Sequence, residues 1–106
     1  MEGKEAVSYD NDFAYVLYAL RKQAKLTQRE LAERAGVDFS YISKLENGRL
    51  EPPSEEVIIK IAEAVGTNRY YLILTAGKVP SDFSEVILRH SDVQEIIMAK
   101  MKEEKK

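Results

Sequence analysis

An all-α fold of five helices followed by a helical C-terminal extension is predicted on three observations. Apolar residues recur at the 3.6-residue spacing along most of the chain, helix-stopping residues punctuate that spacing at short intervals, and no low-complexity tract or 20–50-residue repeat breaks it. The 106 residues, 44% of them hydrophobic, fit one small domain. Roughly two-thirds of the accessible surface of such a chain is buried on folding, enough for a stable bundle but not for a roomy interior cavity.

Phe13, Val16, Leu17, Leu20 and Ala24 form one stripe behind the possible caps Asp10 and Asn11, which predicts a first helix over 12–25. Thr27-Gln28-Arg29-Glu30 is a capping box, and Gly36 supplies a left-handed position after Ala35, so the second helix spans about 28–35. Asp38 caps a third helix containing Ile42 and Leu45, closed by Asn47-Gly48, both tolerant of positive φ. Pro52-Pro53 blocks continuation; Ser54 then caps a fourth helix whose stripe is Val57, Ile58, Ile61, Ala62 and Val65, ending at Gly66. Thr67 or Asn68 opens a fifth helix running to Ala76-Gly77, with Leu72, Ile73 and Ala76 inward and Tyr70 and Tyr71 part-buried. Lys78-Val79-Pro80-Ser81 is a linker to two further helices. The first carries Phe83, Val86 and Ile87, and the second opens on a capping box at Ser91-Asp92-Val93-Gln94. The boundaries are therefore a core over 12–77 and an extension over 78–106.

Composition removes several kinds of chemistry. There is no Cys, and the lone His90 cannot build a His-rich metal site, so disulfide, thiol and zinc chemistry are excluded and no cofactor is expected. His90 reads as a helix-terminal residue favoured by the dipole, and Met98 and Met101 as helix packing. Glu55, Glu56 and Glu63 have no nucleophile or base at a useful spacing, so an enzyme is not expected. Met1-Glu2-Gly3-Lys4-Glu5 lacks the start of a signal peptide and no apolar run reaches membrane-spanning length, which predicts a soluble cytoplasmic protein away from the membrane. The net charge of -2 conceals a gradient: residues 13–50 carry seven bases against four acids, while 1–12 and 51–77 are acidic. That distribution disfavours indiscriminate coating of nucleic acid and leaves one focused anion-binding face.

The basic segment contains the informative motif. From Gln28 to Gly48, Leu31, Ala35, Val37, Ile42 and Leu45 supply a shared core, Ala32 is small where two helices cross, and Gly36 makes the turn between them. With Ile42 and Leu45 inward, 100° per residue turns Ser40, Lys44 and Asn47 outward and leaves Tyr41 and Ser43 on the flanks. An α-helix fits the DNA major groove, where Lys donates to guanine O6 or N7 and Ser donates or accepts. Gln28, in the first turn of the second helix, sits where unbonded N–H groups and the positive dipole end attract phosphate. Arg29, Arg49 and the main chain near Gly48 are further backbone candidates. Tyr41 either touches phosphate or shields the helix flank.

This pattern resembles the phage repressor and Cro-like (Xre-type) helix-turn-helix family. The resemblance covers about residues 13–77, including the Glu46-Asn47-Gly48 end, the Pro-Ser start of the fourth helix and Ile61-Ala62-Glu63-Ala64-Val65-Gly66. It implies a lambda-repressor-like domain whose third helix is the recognition helix of a transcriptional regulator, a repressor binding double-stranded DNA at a palindromic operator. By the same resemblance Phe39, Ser40, Ser43 and Lys44 occupy base-contacting positions, and Gln28 and Asn47 phosphate-gripping ones. Phe39 departs from relatives that carry a polar residue there: it either packs on the second helix or a neighbouring subunit, or meets a thymine methyl or sugar.

The stripe of Val93, Ile96, Ile97 and Met101 needs a cover. Either it folds back on the core or it pairs with a second copy. The homodimer is favoured because one recognition helix reads few base pairs, and a two-fold pair spaces two of them by a DNA turn of about 34 Å. The rival reading is an antitoxin- or immunity-type module that masks another protein and binds DNA secondarily.

Overall fold

A computed structural model describes the backbone of residues 9–105 and the side chains from residue 13 onward. The start Met1–Glu5 and the final lysine lie outside the described residues. Seven helices and no strand are found among them: α1 Tyr9–Gln23, α2 Gln28–Ala35, α3 Phe39–Glu46, α4 Glu55–Val65, α5 Arg69–Thr75, α6 Phe83–Arg89 and α7 Ser91–Glu104. The first five enclose the core and the last two form the extension.

α1 differs at both ends from the expected 12–25. Asp10 and Asn11 lie inside the helix, which has already begun at Tyr9. It stops at Gln23 because Lys25 adopts the left-handed conformation, φ 61°. Lys25 N–H then bonds Lys22 O and Leu26 N–H bonds Arg21 O, the paired bonds of a Schellman ending. Lysine there bears a Cβ strain that glycine avoids, so sequence gives no signal of it.

α2 matches its expected span because both ends are specified by side-chain chemistry. Glu30 N–H donates to Thr27 Oγ1 at 3.0 Å, and Thr27 N–H donates to Glu30 Oε1 at 2.8 Å. Gly36, at φ 71°, turns the chain toward α3. α3 begins after Asp38, whose side chain makes no capping bond, contrary to expectation. At its end the left-handed position is taken by Gly48 alone, since Asn47 stays at φ -87°. Ser54 and Asn68 cap α4 and α5 through their side-chain oxygens.

Phe13 and Leu17 of α1, Leu31 of α2, Ile42 and Leu45 of α3, Ile58 and Ile61 of α4, and Leu72 and Ile73 of α5 are buried together. Each contributes on the order of 1.5–3 kcal/mol relative to exposure. Helices of eight residues, such as α2 and α3, are unstable alone, so this shared core is what keeps them helical. Tyr70 and Tyr71, expected part-buried, are exposed, because Leu72 and Ile73 take the inward direction of α5.

The extension is fastened to the core at its start. Pro80 is fully buried. Ser81 donates through N–H and Oγ to the Glu55 carboxylate, and Tyr70 Oη donates to Asp82 Oδ2 at 2.8 Å while its ring packs on Phe83. The Asp82 bond holds the Tyr70 hydroxyl above its usual pKa. The expected capping box at Ser91 does not form. Gln94 turns the other way and donates to Ile87 O at 2.8 Å, satisfying the end of α6, with which α7 is joined through His90 alone. His90 itself closes α6, with Nδ1 2.8 Å from Val86 O.

Candidate nucleic-acid interface

α3 is pinned by its underside. Ile42 and Leu45 are buried, while Ser40, Lys44 and Asn47 are exposed and Tyr41 and Ser43 lie half-buried on the flanks. One edge of the helix thus carries a hydroxyl, an ammonium group and an amide to solvent. Burial raises the Tyr41 pKa, so its phenol stays protonated and able to donate. Arg49 is exposed just beyond the Gly48 turn.

A polar clamp absent from the sequence-predicted site sets the tilt of α3. Arg21 of α1 grips Glu46 of α3 bidentately, Nε to Oε2 at 2.6 Å and Nη2 to Oε1 at 3.0 Å. Its Nη1 donates to Leu26 O at 2.8 Å, and Tyr18 lies against the guanidinium. The two charged side chains retain only 9% and 4% of their exposure. Gln28 of α2 joins them through Nε2, 2.9 Å from Glu46 Oε1. Three helices therefore share one carboxylate. The hydrogen bonds that Arg21 donates to Glu46, and then the carboxylate's charge, raise the Arg21 pKa against the opposing effect of burial. A sign of it was present in the sequence: Arg21 falls on the apolar side of α1, four residues after Leu17, and Glu46 is adjacent to the core residue Leu45.

Gln28, expected to reach phosphate with a free amide, is half-buried and has one N–H committed to Glu46. Its remaining N–H lies at the α2 N-terminus. Close by, Arg21, Lys22 and Lys25 line a shallow concavity with Leu26 and Thr27, which places exposed Lys22 and Lys25 beside the same helix end. Neither lysine was singled out from sequence, since their convergence depends on the left-handed turn at Lys25. Phe39, the first residue of α3, keeps 40% of its exposure and lies beneath the Arg29 guanidinium, whose carbon is 4.4 Å from the ring centroid. It packs toward the second helix and remains open to solvent at once.

A sequence profile described as helix-turn-helix matches residues 17–72. The chain belongs to the Xre-like helix-turn-helix family. Among family members, an uncharacterised HTH-type transcriptional regulator of Mycobacterium tuberculosis is 40% identical over 67 residues, covering 62% of this chain and 47% of that one. The HTH-type transcriptional repressor RghR of Bacillus subtilis is 39% identical over 67 residues, covering 63% and 50% respectively. The chain thus spans about half the length of the curated relatives it matches. The crystal structure of the clp gene regulator ClgR from C. glutamicum superposes with a TM-score of 0.57 at 30% identity, covering 66% of this chain and 90% of that one.

Outside the helix-turn-helix segment, α6 and α7 pack on each other. Phe83, Val86, Ile87, Val93 and Ile97 line a purely apolar hollow between them. Ile96, Ile97 and Met101 stand 60%, 37% and 50% exposed, so the α7 stripe is not folded back over the core. No helix among the described residues is long and apolar enough to cross a membrane.

The clamp makes a sharp stability prediction. Glu46→Ala strands the Arg21 charge in a dry site and should lower unfolding free energy by roughly 3 kcal/mol, a large part of a small domain's total. The double variant Arg21→Met, Glu46→Leu should recover most of that loss in denaturant unfolding. An unchanged midpoint for Glu46→Ala would show that the pair holds nothing together.

Proposed function

We propose that this chain is a sequence-specific DNA-binding transcriptional regulator, a repressor, which reads a palindromic operator as a homodimer with α3 in the major groove. The observation that carries the reading is the outward edge of Ser40, Lys44 and Asn47 above a buried Ile42–Leu45 underside. A helix so pinned offers its polar edge without rearrangement, and docking through the recognition helix is how such motifs meet DNA. The repressor name of a relative 39% identical supports the same direction.

In this reading Ser40, Ser43 and Lys44 meet base edges, and Phe39 stands beside them at the start of α3. Gln28, Tyr41, Asn47 and Arg49 hold phosphates, joined by Lys22 and Lys25 at the α2 N-terminus. Residues 12–77 form the reading domain and 78–106 the pairing element. The Val93, Ile96, Ile97 and Met101 stripe, with the hollow beside it, suits a second copy because a two-fold pair of α7 helices buries the same apolar residues from each side. With a net charge of -2, attraction to arbitrary DNA is weak and discrimination rests on the α3 edge.

Two substitutions separate base reading from phosphate gripping. Lys44→Ala should lose about 1–3 kcal/mol of preference at one base pair while leaving nonspecific affinity nearly unchanged. Gln28→Ala, which leaves the bidentate Arg21–Glu46 pair to orient α3, should weaken operator and random duplex by the same factor in titrations at fixed salt. Equal losses on all sequences for Lys44→Ala would contradict its assignment, as would a loss confined to one base position for Gln28→Ala. For assembly, Ile97→Asp should give monomers in sedimentation velocity and a much weaker operator complex. A wild-type monomer that gains stability only with a different protein would favour the masking-module alternative instead.

A further inference from the structure

We propose that Arg29 is a specificity-determining residue, one that reads a guanine edge at the N-terminal end of α3 from a seat on the Phe39 ring. The inference rests on the operator reading above and reassigns Arg29 from phosphate to base.

Arg29 is the second residue of α2 and Phe39 the first of α3. With its central carbon 4.4 Å from the ring centroid, the guanidinium is carried across from the α2 edge to the end of the neighbouring helix. In helix-turn-helix docking it is the N-terminal residues of the second helix that reach base edges. Arg29 belongs to α2, yet its head stands over the first residue of α3, at the end that reaches base edges.

Among the described residues its hydrogen-bonding capacity is unspent. Glu30, Glu33 and Asp38 line the same shallow concavity, yet Arg29 makes no ion pair and no side-chain hydrogen bond among the described residues. A guanidinium held over an aromatic ring leaves its N–H donors available, and their fork matches guanine O6 and N7. The stack also restricts the side chain before DNA arrives, which reduces the ordering cost of a two-bond contact. A phosphate contact needs only charge and reach, and gains little from such a platform. The arrangement further accounts for an aromatic residue left 40% exposed at the start of α3: Phe39 is the positioning residue for Arg29.

The test is selection of bound sequences from a random duplex pool, followed by titration of the winning operator, its single-base variants and an unrelated duplex. Wild type, Arg29→Ala, Arg29→Lys, Phe39→Ala and Phe39→Leu are compared, with helicity checked by circular dichroism. Wild type should enrich an operator with one guanine per half-site whose preference falls about 5- to 150-fold in Arg29→Ala, other positions holding. Arg29→Lys should keep nonspecific affinity but not restore the guanine preference. Phe39→Ala and Phe39→Leu, with Arg29 intact, should weaken preference at that same base pair. If Arg29→Ala weakens every duplex equally and Arg29→Lys restores it, the residue grips phosphate and the proposal falls. Loss of neither affinity nor preference also overturns it. A wild-type protein that enriches no sequence overturns the operator reading itself, whereas an enriched operator indifferent to Arg29→Ala overturns this inference alone.

Discussion

The placement of α3 depends on one carboxylate. Glu46 accepts two bonds from Arg21 and one from Gln28, so α1, α2 and α3 are tied at a single point beside the apolar core. Burying such a pair costs several kcal/mol per ion in desolvation, and its mutual attraction returns that only when the geometry is bidentate and the remaining donors are satisfied. The pair is bidentate, and a third Arg21 donor finds Leu26 O. Hydrophobic contact alone is non-directional and would allow α3 to slide or roll over α1 and α2. The clamp selects one orientation, and with it the direction of Ser40, Lys44 and Asn47.

The same constraint links folding to the proposed reading of DNA. α2 and α3 are each two turns long, too short to persist without tertiary support. Their ends are defined by the Thr27–Glu30 box, Gly36 and Gly48, which leaves little freedom in where each helix begins or stops. Defined ends and a buried underside orient the polar edge outward in the free protein. Specificity elements placed on such a frame, including the Arg29–Phe39 stack that spans both helices, start from a narrow set of conformations.

Legibility in sequence followed the kind of signal each feature uses. α2 could be read to the residue because its start is a side-chain hydrogen-bond pattern and its end a glycine at positive φ. The inward set of Leu31, Ile42, Leu45, Ile58, Ile61, Leu72 and Ile73 followed from helical spacing, which is a local property. The end of α1 was not legible, because Lys25 takes a conformation that its type disfavours and tertiary packing enforces. Nor was the fate of Gln94, since the local capping pattern at Ser91 competes with open carbonyls on α6 that only the bend at His90 brings near. The Arg21–Glu46 pair spans 25 residues and joins two helices, so no local pattern specifies it. Gln28 and Phe39 were picked out by position, but the partners that orient them, Glu46 and Arg29, emerge only when the helices are packed.

The central claim, that the solvent edge of α3 is the DNA-reading surface, is tested most directly by amide and side-chain NMR shifts during titration with a selected operator duplex. The account predicts that the largest changes map to Ser40, Ser43, Lys44 and Asn47, with the buried Ile42 and Leu45 side chains and the outer face of α7 little altered. Changes concentrated on α6 and α7, with α3 unmoved at saturation, would contradict it.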